Sequence, residues 1–320
     1  MSGAGPEVDA VVIGRNEGER LSAALGSLTG GVRRIIYVDS GSQDDSVARA
    51  EALGAEVVNL DMTQPFTAAR ARNAGFAALG KDAAEFVQFI DGDCSVVAGW
   101  IDAARAALVD EPALGLVCGR RRERQPEASV YNRLIDREWD TPVGETRACG
   151  GDFMVRHAAF AQVGGFDAGL IAGEEPELCL RLRRAGWRLW RLDAEMTAHD
   201  AALTRFGQWW RRARRAGFAF AEGAARYGFA PERHWRRETL RAVVWGLLLP
   251  LAGLLGALWN PWALLLWLAY PAQVLRLWRK GLGADWAFFT MLSKFPEAQG
   301  VLGYWWRRLR RGEARLIEYK

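Results

Sequence analysis

Residues 86–93, Phe86-Val87-Gln88-Phe89-Ile90-Asp91-Gly92-Asp93, decide how the chain is read. An apolar run of strand length, aromatic and β-branched, ends in two carboxylates separated by one glycine. Two oxygen ligands at a strand end suit a hard cation such as Mg²⁺ or Mn²⁺, which would bridge the protein and a diphosphate. Taken alone, an Asp-x-Asp triplet more often caps a loop, so its meaning rests on the sequence around it.

That surrounding sequence repeats one pattern. VDAVVIG (8–14) is a strand ending in glycine, and GERLSAALGSL (18–28) repeats leucine at helical spacing. VRRIIYVDS (32–40) is a strand ending at Asp39, SQDDSVARAEALG (42–54) a capped helix closed by Gly54, and AEVVNL (55–60) a strand. FTAARARNAGFAALG (66–80) reads as a helix before the strand at 86–93, and VVAGWIDAARAALV (96–109) as a helix after it. Alternating β and α units predict an α/β fold, Rossmann-like, with a mostly parallel sheet and flanking helices. Ligands then bind at the carboxyl ends of the strands, where Gly14, Asp39 and Asp91 fall. GLVCGRR continues as a strand into a polar, acceptor-side loop with one helix (121–148).

Downstream, GEEPELCLRLRRAGW (173–187) places Pro176 at the first position of a helix stopped by Gly186, which puts Glu175 at the N-cap. The helix N-terminus favours the ionised carboxylate, ready to accept a proton though less basic for it. An ordinary acidic first turn would look the same. His199 ends the strand-like run WRLWRLDAEMTAH (187–199), where a neutral imidazole could complete a metal site as well as serve a structural purpose.

The 320 residues carry a net charge of +4, which conceals a division. Residues 1–204 hold 22 Lys and Arg against 31 Asp and Glu, whereas residues 205–320 hold 20 against 7. Residues 242–275 contain no charged side chain, and 11 of the 15 tryptophans follow residue 204. This is an acidic soluble domain (1–204) with a basic, Trp-rich membrane appendage. The appendage divides into basic amphipathic juxtamembrane helices (205–241), a hydrophobic helical hairpin (242–278) and an amphipathic tail (279–320). AVVWGLLLPLAGLLGALW (242–259) and PWALLLWLAYPAQVL (261–275) meet at the turn signal Asn260-Pro261, each near the short limit for crossing a hydrocarbon core of about 30 Å. Two short spans are expected ahead of a re-entrant or interfacial pair, the alternative that Pro250 and Pro271 inside the halves and the Trp on their flanks would suit. The basic flanks place both ends on the cytoplasmic side. For the Arg-rich QWWRRARR, anionic lipid is the expected partner, not nucleic acid, because the basic run leads straight into the uncharged one.

The cysteines Cys94, Cys118, Cys149 and Cys179 lie far apart with no C-x-x-C pair, which argues against a disulfide scaffold or zinc finger and fits a reducing cytosol. MSGAGPEVDA lacks the basic and apolar regions of a secretory signal, so the first domain is expected to fold where it is made.

In this order the motifs resemble the inverting glycosyltransferase family 2, with its GT-A fold, over roughly residues 8–200. VVIGRNEGERL resembles the family's first strand and turn, which implies donor contacts at Gly14, Arg15, Asn16 and Glu17. IIYVDSGSQDDS resembles the segment that makes Asp39 a nucleobase or ribose contact. ARNAGFAAL matches the helix before the metal strand, adding Arg72 and Asn73 on the donor side. In D-G-D the resemblance makes Asp93 the metal ligand and puts Asp91, with Gly92, nearer the ribose while Asp91 still joins the metal set; His199 matches a further ligand of some members. CGGDFMVRHAAFAQVGGFD resembles the acceptor-side stretch, which implies Gly150, Gly151 and Asp152, with Trp187 beyond. GEEPEL matches the motif whose second acidic residue is the catalytic base: here Glu175, beside Glu174, where the family usually carries Asp. QWWRR only partly resembles the motif of processive synthases.

The expectation is therefore a metal-dependent enzyme at the cytoplasmic membrane face. It would move one sugar from a nucleotide-diphosphate donor, a UDP-sugar first among them, to a hydroxyl of a lipid-linked or glycan acceptor, with Mg²⁺ or Mn²⁺ as cofactor. A homo-oligomer is compatible with this. The alternatives are a polyprenyl-phosphate glycosyltransferase, whose acceptor is already ionised and needs no base, and an inactive nucleotide- or lipid-binding subunit.

Overall fold

A computed structural model describes residues 7–229 and 231–310. The first six residues of the N-terminal stretch read for a signal, and residues 311–320 of the expected tail, lie outside them. The chain separates into two compact units, 1–202 and 203–320.

In the first unit β1 (Val8–Gly14), α1 (Glu19–Leu28), β2 (Arg34–Asp39), α2 (Ser46–Ala52), β3 (Glu56–Asn59), α3 (Ala68–Leu79) and β4 (Phe86–Asp91) follow the expected alternation. Then come β5 (Cys94–Val96), α4 (Trp100–Asp110), β6 (Leu114–Glu123), α5 (Val130–Glu138), β7 (Gly144–Glu145), β8 (Phe153–Arg156), α6 (His157–Gln162), α7 (Glu174–Arg184) and β9 (Arg188–His199). All nine strands form one sheet in the order β3-β2-β1-β4-β8-β6-β9-β5, with β7 also on β9. Val11, Val12, Ile36, Val38, Phe89, Phe153 and Leu182 are fully buried on its faces.

The sheet is mixed, not mostly parallel. The expected parallel set β3-β2-β1-β4 is present, and β6 runs parallel to β9. β8 lies antiparallel between β4 and β6, and β5 and β7 run antiparallel to β9. β8 and β5 have four and three residues, too short for alternation to stand out in a sequence. The register places Gly14 beside Asp39 and Ile13 beside Asp91, so three strand ends converge on one edge.

The second unit is helical: α8 (Phe206–Tyr227), α9 (Arg236–Val243), a π-helical stretch (Val244–Leu248), α10 (Leu249–Gly256), a 3₁₀ stretch (Pro261–Leu268), α11 (Ala269–Arg279), α12 (Ala284–Leu292) and α13 (Lys294–Leu309). α8 and α13 cross closely because glycine permits it. A Cβ on Gly217 would stand 2.0 Å from the Glu297 carbonyl oxygen, and one on Gly300 2.1 Å from that of Arg214.

Among the described residues one helix, Arg236–Gly256, is long and apolar enough to cross a membrane. The second apolar half, expected as a matching span, is instead divided between the 3₁₀ stretch and α11. Proline supplies the reason: Pro271 has no N–H for residue 267, so it sits in a first helical turn, where that donor is not needed. Pro250 sits likewise in the first turn of α10, directly after the π-helical stretch. The turn falls at the expected place, with Asn260 Oδ1 accepting from the Trp262 backbone N–H at 3.0 Å.

Candidate active site

The D-G-D turn can form because its middle residue has no side chain. Gly92 N–H donates to the Ile13 carbonyl at 2.8 Å, and a Cβ there would stand 3.1 Å from that same oxygen. The chain then enters β5, whose pairing sets Cys94 opposite His199 of β9. Asp93 and His199 therefore meet, with His199 Nε2 3.3 Å from Asp93 Oδ2 and both residues buried. On the far side of the ring, Glu123 Oε2 lies 3.7 Å from Nδ1, and Trp139 packs edge-on with centroids 4.9 Å apart.

Asp91 points elsewhere. One oxygen accepts from Arg72 Nη2 at 2.7 Å, and the other lies 3.5 Å from Arg121 Nη2. Arg72, brought by α3 and 2% exposed, also reaches Glu174 at 3.3 Å and Glu175 at 3.2 Å. One guanidinium thus joins the end of β4 to the first turn of α7. Burial opposes the charge on Asp91, but Arg72 and Arg121 outweigh it and hold the carboxyl below its usual range.

Glu175 shifts the other way. Burial and then the neighbouring Glu174 push its carboxyl up to about 7, against the opposing pull of Arg72. This corrects the expectation of a weakened base, because desolvation and like charge outweigh the helix end. The cap is also corrected. Gly173, at φ 80°, is the N-cap, and Glu174 and Glu175 are the first two helical residues. Only glycine takes that left-handed conformation without strain, so the helix starts two residues earlier than Pro176 implied.

The donor-side expectations separate into two sets. Asp39 is tied into its own loop, accepting from Tyr37 Oη at 3.0 Å and from the N–H groups of Gly41 and Ser42 at 2.9 and 2.8 Å. Asn16, at φ 56°, clamps this loop to the one after β1. Its Oδ1 accepts from Gln43 N–H at 2.7 Å, and its own N–H donates to Ser42 Oγ at 2.9 Å. Glu17 pairs with Arg20 at 2.8 Å, Arg15 is exposed, and Gly14 packs against Tyr37 and Glu17. These residues rim the edge where the strands end. Asn73 instead bonds both the N–H and the carbonyl of Phe166 at 2.9 and 2.8 Å, and so serves as a structural clamp.

On the acceptor side, Gly151 lies over the Arg72–Asp91 pair, where a Cβ would stand 2.5 Å from Arg72 Nη2. Gly150 is exposed beside it. Asp152 is fully buried and faces inward. It accepts from the Asp91 N–H at 3.1 Å and from Thr197 Oγ1 at 2.6 Å, and pairs with Arg121 at 2.7 Å. Trp187 follows the other end of α7, about 16 Å along its 11 residues from Glu175, and donates to Gln162. It does not join the cluster.

Arg121, Glu123, Trp139 and Thr197 complete the site and are not distinguished in the sequence. Arg121 stands in the run Arg120-Arg121-Arg122, and register shifts against β9 on both sides of Arg120 erase the alternation that would say which arginine faces inward.

Among the described residues, two groups of side chains could hold a metal ion, Asp93-Cys94-His199 and Asp91-Cys94-Asp152. Burial holds the Cys94 thiol well above its ordinary range, and a thiol is the softest donor of these groups, less suited to a hard cation than the carboxylates. Asp91 and Asp152 are both engaged by arginine. Asp93 and His199 are the pair that fits. A carboxylate with an imidazole could hold a divalent cation, and Glu123 stands where it can orient the ring.

Residues 9–163 match the sequence model of glycosyl transferase family 2. The chain is 31% identical over 207 residues to the pre-mycofactocin glycosyltransferase of Mycobacterium tuberculosis, a match covering 61% of this chain and 43% of that protein. The chain thus spans less than half the length of that relative. Among solved structures it resembles the mannosyltransferase PcManGT from Pyrobaculum calidifontis, in complex with GDP-Man and Mn²⁺, with a TM-score of 0.62 at 19% identity, over 96% of this chain and 89% of that one. It also resembles the glucosyl-3-phosphoglycerate synthase of Mycobacterium tuberculosis, with a TM-score of 0.52 at 19% identity, over 70% and 81% of the two chains. The fold is accordingly of the GT-A type, and within its first unit residues 9–163 carry the similarity to glycosyl transferase family 2.

Proposed function

We propose that this chain is an inverting glycosyltransferase that moves one sugar from a nucleotide-diphosphate donor to an acceptor hydroxyl. The observation that carries the reading is Glu175, a largely buried carboxylate raised to about 7 and held by the arginine that also grips Asp91. A carboxylate with that pKa is both ionised above neutrality and basic enough to take a proton from a hydroxyl. Glu175 accepts the acceptor's proton, the acceptor oxygen attacks the anomeric carbon in line, and the nucleotide diphosphate leaves. Asp93 and His199 would hold a Mn²⁺ or Mg²⁺ ion, which supplies positive charge to offset that developing on the diphosphate. Asp39 and the clamped loops at 14–18 and 40–46 would frame the nucleoside. UDP-sugars are the first donors to test, alongside GDP-mannose, the ligand in the PcManGT structure.

The second unit would attach the enzyme to the cytoplasmic membrane face, with Arg236–Gly256 entering the bilayer and the basic flanks contacting anionic headgroups. A lipid-linked or glycan acceptor suits that placement.

The test is Glu175→Gln. Turnover should fall by about 10²- to 10⁴-fold, the usual contribution of a general base, with donor binding retained in a thermal-shift assay. Turnover near wild type would overturn the reading and favour an acceptor already ionised, such as a polyprenyl phosphate.

A further inference from the structure

Cys149 and Cys179 are absent from the mechanism above, yet they connect its two acceptor-side walls. Cys149 opens the loop that continues through Gly150 and Gly151 to the buried Asp152, and it is partly exposed. Cys179 is fully buried on α7, one turn beyond Glu175 and on the same face. Their sulfurs are 3.5 Å apart, one thiol donating to the other, and both are free. The S–S bond length is about 2.0 Å, so a bond here requires the two sulfurs to approach by about 1.5 Å.

We propose that Cys149 and Cys179 are a redox-modification site, forming a reversible disulfide with a hydroperoxide as oxidant, and that this bond regulates glycosyl transfer by drawing the 149–152 loop against α7. The regulatory half rests on the function proposed above; the modification itself does not.

The chemistry balances in two steps. The more exposed sulfur, Cys149, attacks one peroxide oxygen; the O–O bond breaks, the other oxygen leaves with a proton as water or alcohol, and Cys149 becomes a sulfenic acid. The Cys179 sulfur then displaces the hydroxyl from that sulfur, which leaves as water with the Cys179 proton. Two thiols are oxidised by two electrons, and the peroxide is reduced by two.

The surroundings set when this happens. Burial and the neighbouring Cys179 raise the Cys149 thiol well above its usual range, so little attacking thiolate is present and the step needs a sustained peroxide load. In a reducing compartment such a pair oxidises transiently, under peroxide load, and does not act as a permanent staple. Closure would be felt at the site because the backbone of Gly151 already lies against Arg72 and Asp91 with no room for a Cβ.

The experiment treats the full chain, in detergent micelles, with hydrogen peroxide, followed by thiol trapping and peptide mapping. The expected result is a loss of about 2 Da and a 149–179 linked peptide pair, both reversed by dithiothreitol and absent from Cys149→Ser. Sulfinic acid at Cys149, a bond to Cys118, or unmodified thiols would overturn the proposal. In the oxidised wild type, turnover should fall between about 10- and 10²-fold and return on reduction, while Cys149→Ser stays insensitive. Full linkage with unchanged turnover would overturn the regulatory half. A reduced chain without turnover on any donor would count against the proposed function, and the peptide map would still decide the modification.

Discussion

The two units handle charge and apolar surface in opposite ways. The first encloses charge: Arg72, Asp93, Asp152, Glu174 and His199 are all buried, and the carboxylates among them pair with arginine or histidine. The second leaves apolar surface uncovered, with Leu258, Trp259 and Trp262 each about three-quarters exposed or more, and it carries its arginines before and after an uncharged run. A buried charge network costs stability unless every member is matched, and function is the usual reason to retain one. An apolar helical surface of this extent marks an interaction surface, and the function proposed above assigns it to a bilayer.

The contrast is broken most forcibly at Arg72. Replacing it by Met takes the paired cation from Glu174 and Glu175 and leaves Asp91 with Arg121 alone, which should cost the first unit about 3–5 kcal/mol. Differential scanning calorimetry should register this as a drop of roughly 10 °C in melting temperature. The matching change in the second unit is Leu255→Arg, at an exposed position of α10. A charge there should weaken membrane partition by about 3 kcal/mol in vesicle flotation and leave the melting of the first unit unchanged. Equal partition of the variant would remove the case for bilayer entry.

Two smaller changes sharpen the account of the first unit. Glu123→Gln removes the carboxylate behind His199 and should lower Mn²⁺ affinity by about 10- to 100-fold in calorimetric titration. Glu174→Gln removes a negative neighbour that raises Glu175, so the acid limb of the pH–rate profile should move down from about 7. The sign follows from the base, since activity needs ionised Glu175 and is lost as pH falls through its pKa. A limb that moves upward, or stays in place, would detach Glu174 from the base.

Much of the first unit was legible because its strands and helices are long enough to display their periods, and because Asp39 and Asp91 stand at the ends of apolar runs. The antiparallel half of the sheet was not, since β5, β7 and β8 are two to four residues long and gain their identity from partners distant in sequence. The resemblance implies both Asp93 and His199 as metal ligands, and β5 against β9 supplies the physical cause of their meeting. Glu175 is singled out by its motif, yet its raised pKa depends on burial and on Glu174, and neither effect has a sequence period. Arg121 could not be selected, because bulges hide which residues of β6 face the site, and Trp139, just past the end of α5, meets His199 only through the tertiary fold.

The most direct test of the central claim is anomalous diffraction from crystals of the full chain grown with Mn²⁺ and UDP. A manganese peak within about 2.0–2.3 Å of Asp93 and His199, with the diphosphate beside it and Glu175 facing the same cleft, is the expected result. A peak on Asp91 and Asp152, or no ion at the end of β4, would contradict it.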